Sequence, residues 1–117
     1  MRIGKTVTIS CAHFLRDYDG KCKNMHGHTY NIEVILDAEP VNGFVMDFYD
    51  LKKIIDEEIV TPYDHRVLND VVPFDAVNPT AENIAIEFAR RIKLRTKKDT
   101  TVRVYESSTS WAEARAE

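Results

Sequence analysis

The chain has 117 residues, enough for one domain of ordinary size that buries roughly two thirds of the surface its unfolded chain would expose. Its 16 basic and 19 acidic side chains are interspersed and leave a net charge of −3, which excludes the single-sign field that marks a nucleic-acid or membrane-surface binder. Two cysteines, no apolar run behind a basic start, and no window near the roughly 18 apolar residues that span a bilayer point to a reduced, cytoplasmic protein without a disulfide framework.

Alternation opens the chain. Val7, Ile9 and Cys11 share a parity with His13, opposite to Thr6, Thr8 and Ser10, so the spacing predicts a strand over residues 2–14 with His13 on its apolar face. Residues 15–24 read as a polar loop with Asp19-Gly20 as its turn. A second strand follows from about Gly27 to Asp37, its even positions (His26, His28, Tyr30, Ile32, Val34, Leu36) apolar or metal-ligating. After Pro40 and the Asn42-Gly43 turn, Asp47 can cap a helix whose stripe is Phe48, Leu51, Ile55 and Ile59, with Pro62 ending it. Thr80 can cap a second helix in which Ile84, Ala85, Phe88, Ala89 and Ile92 recur at helical spacing, with basic residues towards its end. Residues 100–107 alternate again through Val102, Val104 and Glu106, and residues 111–117 give a short last strand. The order ββααββ predicts an α+β domain over 1–117, with two helices on one face of a four-stranded antiparallel sheet. So small an open sheet leaves edges to cover, which motivates a homo-oligomer.

The chemistry collects on few residues. Positions two apart on a strand share a face, so His26 and His28 converge, and a hairpin connection brings His13 beside them. Three imidazoles in register favour a metal site over a core histidine that merely satisfies a hydrogen bond, and zinc over iron or nickel. Three protein ligands leave a position open, as catalysis requires. Cys22 is the rival for that fourth place: it is a structural ligand, a passive loop thiol, or a thiolate base whose ionisation Lys21, Lys23 and a nearby dication would favour. Cys11, mid-strand on the apolar parity, reads as core. Asp64-His65, in the connection between the helices, holds the one histidine not assigned to the metal and is the candidate proton shuttle. Glu106 ends an apolar strand face, either as a solvated strand end or as a buried carboxylate that wants a pair of N–H donors.

Five blocks in this order carry a resemblance that covers nearly the whole chain: His13 with Cys22-x3-His26-Gly27-His28, Gly43-x2-Met46-Asp47-Phe48, Asp64-His65-x2-Leu68-Asn69, Pro79-Thr80-x-Glu82-Asn83, and Tyr105-Glu106-Ser107. The sequence resembles the family of 6-pyruvoyltetrahydropterin and 6-carboxytetrahydropterin synthases. That resemblance implies the tunnelling fold, assembled as two stacked trimers, and a pterin triphosphate substrate. It implies that His13, His26 and His28 hold zinc and that Cys22 is the catalytic thiol. It further implies that Asp64 and His65 act from a neighbouring subunit, and that Glu106 anchors the pterin with Thr80 and Glu82 lining its pocket. The short Cys-x3-His gap is similar to the carboxy-forming branch, which releases acetaldehyde and triphosphate from 7,8-dihydroneopterin triphosphate on the way to queuosine or archaeosine. Triphosphate elimination to the pyruvoyl product and a non-catalytic zinc-stapled interaction module are the alternatives. Arg16, Lys21 and Lys23 are either triphosphate contacts or an ordinary solvated loop. A cupin-like reading of His26-x-His28-x4-Glu33 fails, because Glu33 falls on the opposite face of an unbulged strand.

Overall fold

The structure, a computed structural model, describes residues 1–117 apart from the side chain of Cys22. Strands β1 (Arg2–His13), β2 (His26–Asp37), β3 (Asp99–Tyr105) and β4 (Trp111–Ala116) form one antiparallel sheet in the order β1-β2-β3-β4. Their alternation sorts the side chains: Ile9, Tyr30, Ile32, Val34, Val102 and Val104 are buried under the helices, while Thr8, Asn31 and Arg103 occupy the other face. The β1–β2 hairpin is in register from Arg2↔Asp37 to His13↔His26. A one-residue slip would turn every one of its apolar side chains outward. Asn42 and Gly43 both have positive φ and close the Val41–Phe44 turn, as an Asn-Gly pair does.

Helix α1 (Phe48–Ile55) starts at Asp47, whose carboxylate accepts from the amides of Tyr49 and Asp50. Leu51, Ile55 and Ile59 are buried as the periodicity requires, but Phe48 is not. It stands with the exposed Met1 and Phe44 at the end of the sheet, where this chain supplies no further layer. Nor does Pro62 end the helix. The backbone widens into a π-helical segment (Asp56–Val60) and continues as the single turn α2 (Thr61–Tyr63), with Thr61 N–H donating to Asp56 O. A proline has no N–H for the carbonyl four residues before it. That carbonyl, Glu58 O, receives Arg91 Nη1 at 3.5 Å instead, so the register change absorbs the proline inside a helix.

Helix α3 (Ala81–Thr96) begins at Thr80, whose hydroxyl accepts from Asn83 N–H at 3.1 Å, and ends at Lys97 in the left-handed region. Its predicted stripe is buried throughout, and it lies across β3 and β4. The core is therefore one layer between the sheet and the helical segments, with Tyr63 in edge contact with Phe74 and in tilted contact with Phe88. No helix is long and apolar enough to cross a membrane among the described residues.

Candidate metal centre

The hairpin register places the three histidines. His13 pairs directly with His26, and Cys11 with His28, so His13, His26 and His28 project from the helix-covered face at one end of the sheet. Their ring centroids are 4.6, 5.1 and 4.7 Å apart. Glu106, one residue beyond β3 on the parity of Val102 and Val104, turns its carboxylate into the same point: Oε1 is 3.0 Å from His28 Nε2 and 3.4 Å from His13 Nε2. One ligand atom from each of the four side chains lies within 4.8 Å of the others.

Proton accounting shows what this point is suited to hold. His13 Nδ1 is 2.8 Å from the Pro79 carbonyl, and His26 Nδ1 is 2.7 Å from the Asn24 carbonyl. A carbonyl only accepts, so each neutral ring carries its single proton on Nδ1 and presents a bare Nε2. Those two nitrogens face each other at 3.1 Å. Two lone pairs at that separation repel unless a cation lies between them. A third proton is disfavoured, because burial pushes the His13 ring below the ordinary histidine range, with Pro79 and Glu106 opposing the shift. His28 Nε2 is likewise buried and makes no hydrogen bond; it approaches Glu106 within ion-pair distance but outside hydrogen-bond geometry. Two oriented imidazoles, a third unsatisfied one and a carboxylate make a donor set that fits a divalent transition metal.

A pH dependence follows from the same burial. Metal binding needs neutral rings, and the lowered His13 and His28 values keep them neutral further into acid than a free imidazole. Metal affinity, measured by competition with a chelator, is therefore expected to fall less between about pH 7.5 and 5.5 than three free imidazoles would give. A loss as steep as that of three free imidazoles would contradict the arrangement.

Thr80 and Glu82 border a cavity of about 290 Å³ that His13 and Glu106 also line. The predicted pocket residues thus share one opening with the metal point. Asp64 and His65 do not line that cavity; His65 borders a separate depression, which His28 also lines. Asp64 Oδ1 accepts from Ser10 N–H at 2.8 Å, and its other oxygen holds His65 Nδ1 at 3.0 Å. This pins the pair to the outer edge of β1, where His65, 80% exposed, overlooks an open depression bordered by Ser10, Ala12, Gly27 and Thr29. The hydrogen bond from Ser10, opposed by some burial and joined by His65, holds the Asp64 carboxyl below the usual range, so Asp64 stays an acceptor. The thiol of Cys22, predicted as base or ligand, lies outside the described residues.

Arg16 is neither a free cation nor a solvated one. Its Nη2 donates to the Phe74 and Asp75 carbonyls at 2.8 and 3.3 Å and its Nη1 to Val77 O at 3.4 Å, fastening the loop after β1 to the connection before α3. Cys11 is core, as its parity predicts: 5% exposed, with Sγ donating to Tyr63 O at 3.1 Å. Burial, and secondarily the Asp64 charge, pushes its thiol up to about 12. Peptide mass spectrometry after alkylation of the native protein at pH 8 is expected to find Cys11 unlabelled, and labelled once the chain is unfolded. The sequence reading missed the carbonyls of Asn24 and Pro79, because backbone acceptors carry no residue signature. It also passed over the Tyr30 hydroxyl, 3.2 Å from His13 Nδ1, although Tyr30 shares the parity of His28.

Four likenesses bear on this site. The profile of the 6-pyruvoyl tetrahydropterin synthase family matches residues 2–117. A protein of Archaeoglobus fulgidus with the provisional name 6-carboxy-5,6,7,8-tetrahydropterin synthase is 36% identical over 116 residues, covering 98% of this chain and 96% of its own length. The dihydroneopterin monophosphate aldolase of Pyrococcus furiosus is 40% identical over 92 residues, 79% of this chain and 75% of its own. Among solved structures, the 6-pyruvoyl tetrahydropterin synthase of Caenorhabditis elegans superposes with a TM-score of 0.86 at 26% identity, covering 100% of this chain and 96% of that one.

Proposed function

The chain belongs to the 6-pyruvoyl tetrahydropterin synthase family and shares its tunnelling fold, and from that premise we propose that it is a zinc-dependent carbon–carbon lyase. Its reaction takes 7,8-dihydroneopterin triphosphate and water to 6-carboxy-5,6,7,8-tetrahydropterin, acetaldehyde and triphosphate, a step towards 7-deazaguanine nucleosides. The observation that carries the reading is the convergence of three imidazole nitrogens, two of them bare by their hydrogen bonding, beside a cavity that His13 lines together with Glu106, Thr80 and Glu82. The Cys22-x3-His26 spacing and the full-length likeness to the Archaeoglobus protein favour the carboxy-forming branch.

Zinc held by His13, His26 and His28 would polarise the side-chain oxygens of the substrate and stabilise negative charge on them. The rest falls to the chain. The Glu106 carboxylate accepts the paired N–H groups of the pterin ring and sets which carbons face the metal point. Cys22, flanked by Lys21 and Lys23, removes and returns protons as a thiolate. His65, oriented by Asp64 at 3.0 Å, moves the second proton, reaching the site from an adjoining copy in a homohexamer of two trimers. Exposed Lys21 and Lys23 are the available cations for the triphosphate, since Arg16 is committed to carbonyls. Residues 1–117 act as a single cytoplasmic domain.

The 40% identity to the Pyrococcus aldolase favours a second reading, in which the same cavity cleaves the side chain of dihydroneopterin monophosphate. Zinc-loaded protein incubated separately with the two phosphates distinguishes them. Acetaldehyde and a carboxylated pterin from the triphosphate are expected. A two-carbon phosphorylated aldehyde from the monophosphate would establish the aldolase, a pyruvoyl pterin without acetaldehyde would establish triphosphate elimination, and inert zinc-loaded protein would leave the interaction module.

A further inference from the structure

The outer edge of β1 is occupied in a way that the motif residues do not explain. Residues two apart along a strand send their peptide groups to the same side, and both outward groups of Ser10 and the N–H of Ala12 are taken by the connection between the helices, as are both groups of Phe14 and Arg16 just past the end of β1 at His13. Ser10 N–H donates to Asp64 Oδ1 and Ser10 O accepts from His65 N–H, at 2.8 and 2.7 Å. Ala12 N–H donates to Arg66 O at 3.0 Å. Beyond Ala12 both partners come from one side chain. Phe14 N–H donates to Asn69 Oδ1 and Phe14 O accepts from Asn69 Nδ2, both at 3.0 Å. Arg16 repeats the pattern with Asn78, at 2.9 and 3.1 Å.

A carboxamide is the one short side chain that offers a donor and an acceptor in the geometry of a peptide group. Each asparagine stands where the backbone has none to offer. Around Asn69 the main chain is turned into the Leu68–Asp70 3₁₀ turn, with Asp70 N–H on Val67 O and Val71 N–H on Leu68 O. At Asn78 the carbonyl already receives Thr80 N–H and Asn83 Nδ2, both at 2.9 Å, and the next residue is a proline. Asn69 is 6% exposed, so neither of its amide groups has water as an alternative.

We propose that Asn69 and Asn78 are positioning residues of the metal centre, extending the β1 ladder so that His13 and the Asp64–His65 pair are held on one rigid edge. His13 lies between two rungs of that ladder, Ala12 and Phe14. Its ring is oriented by the Pro79 carbonyl, one residue beyond Asn78. The two asparagines therefore fix both the backbone that carries the ligand and the acceptor that turns its Nε2 towards the metal. A direct partner of a ligating imidazole, here the Pro79 carbonyl, changes metal affinity roughly 10- to 100-fold when lost, and the asparagines act by holding that partner and the strand in place. The role rests on the metal reading above and not on which pterin is cleaved.

The test is cobalt(II) and zinc binding to Asn69→Asp and Asn78→Asp, which keep shape and acceptor but lose the donor and set a carboxylate against a carbonyl. Both are compared with Ile92→Val, a core control on the far helix. Expected are a roughly 10- to 100-fold weaker affinity by chelator competition and an altered visible spectrum of bound cobalt(II), with the control unchanged in both. Variants that fold and bind with native affinity and spectrum would overturn the proposal. Should they not fold, hydrogen exchange of the native protein decides: the Phe14 and Arg16 amides are expected to be protected to the level of Ala12, with more protection on zinc loading. Exchange at open-loop rates in both states would overturn it. Native protein that binds neither metal would overturn the metal reading and this role together. Native protein that binds zinc but cleaves neither pterin would overturn only the reaction, while weakened binding in the variants would still support the role.

Discussion

Replacing His28 by alanine is expected to lower turnover by about a thousandfold and to release the metal, while leaving the apo-protein as stable as before to within about 1 kcal/mol. The first half follows from the donor set: with one of three imidazoles gone, the charge stabilisation a bound metal supplies, several kcal/mol in the transition state, is lost, and about 4 kcal/mol is a thousandfold in rate. The second half follows from the unsatisfied nitrogen. His28 Nε2 makes no hydrogen bond in the folded chain, so truncation gives up packing of a ring already a quarter exposed and no paired polar group. His13→Ala is the contrasting case. It removes a fully buried ring and strands the Pro79 carbonyl, so it is expected to cost the apo-protein about 2 kcal/mol in addition to the metal. Denaturant titration of the two metal-free variants, set beside steady-state turnover with added zinc, separates the effects. Equal destabilisation of both would mean that His28 is a core residue rather than a ligand.

The convergence of the three histidines was legible because parity and register are local properties. Val7, Ile9, Cys11 and His13 alternate, as do His26 through Leu36, and an unbroken hairpin leaves those two faces no freedom but to coincide. Helix starts were legible for the same reason, since Asp47 and Thr80 each satisfy amides two or three residues away. What escaped depended on contacts far along the chain. Pro62 reads as a stop until Arg91, 29 positions on, is seen to supply the donor that a proline lacks. Arg16 reads as a surface cation until the connection before α3 offers it three carbonyls. The Asp64-His65 dipeptide was identified by residue type, but its placement on the outer edge of β1, facing away from the helix-covered side, depends on a backbone pairing with Ser10 that no local pattern encodes. The edge itself proved half-managed. Its final stretch is covered by the chain's own connection, while β4 stays at the sheet's edge, so the case for an adjoining copy is strongest there.

Cys22→Ala is expected to keep the zinc and lose turnover by about a thousandfold, within the range for removing a positioned acid–base group. Three imidazoles, His13, His26 and His28, can hold zinc without this residue, whereas a thiolate as fourth protein ligand would close the position the substrate needs. Cys22 belongs instead to the turn Lys21–Lys23, whose ends are tied by Lys23 N–H to Gly20 O and Asn24 N–H to Lys21 O. That turn leads directly into Asn24, the carbonyl that orients His26. Truncating the side chain at position 22 leaves those backbone bonds, and with them the anchor of His26, in place. Zinc content by atomic spectroscopy and rate measured on the same sample give the answer. Zinc near one equivalent with the rate lost supports the thiolate as base. Zinc lost together with the fold would make Cys22 a structural ligand and the protein a stapled module. Cys22→Ser sharpens the outcome, since a hydroxyl matches the thiol in shape but ionises far less readily at neutral pH. If the role is proton transfer, serine is expected to be nearly as slow as alanine, and raising the pH is expected to recover little of the rate.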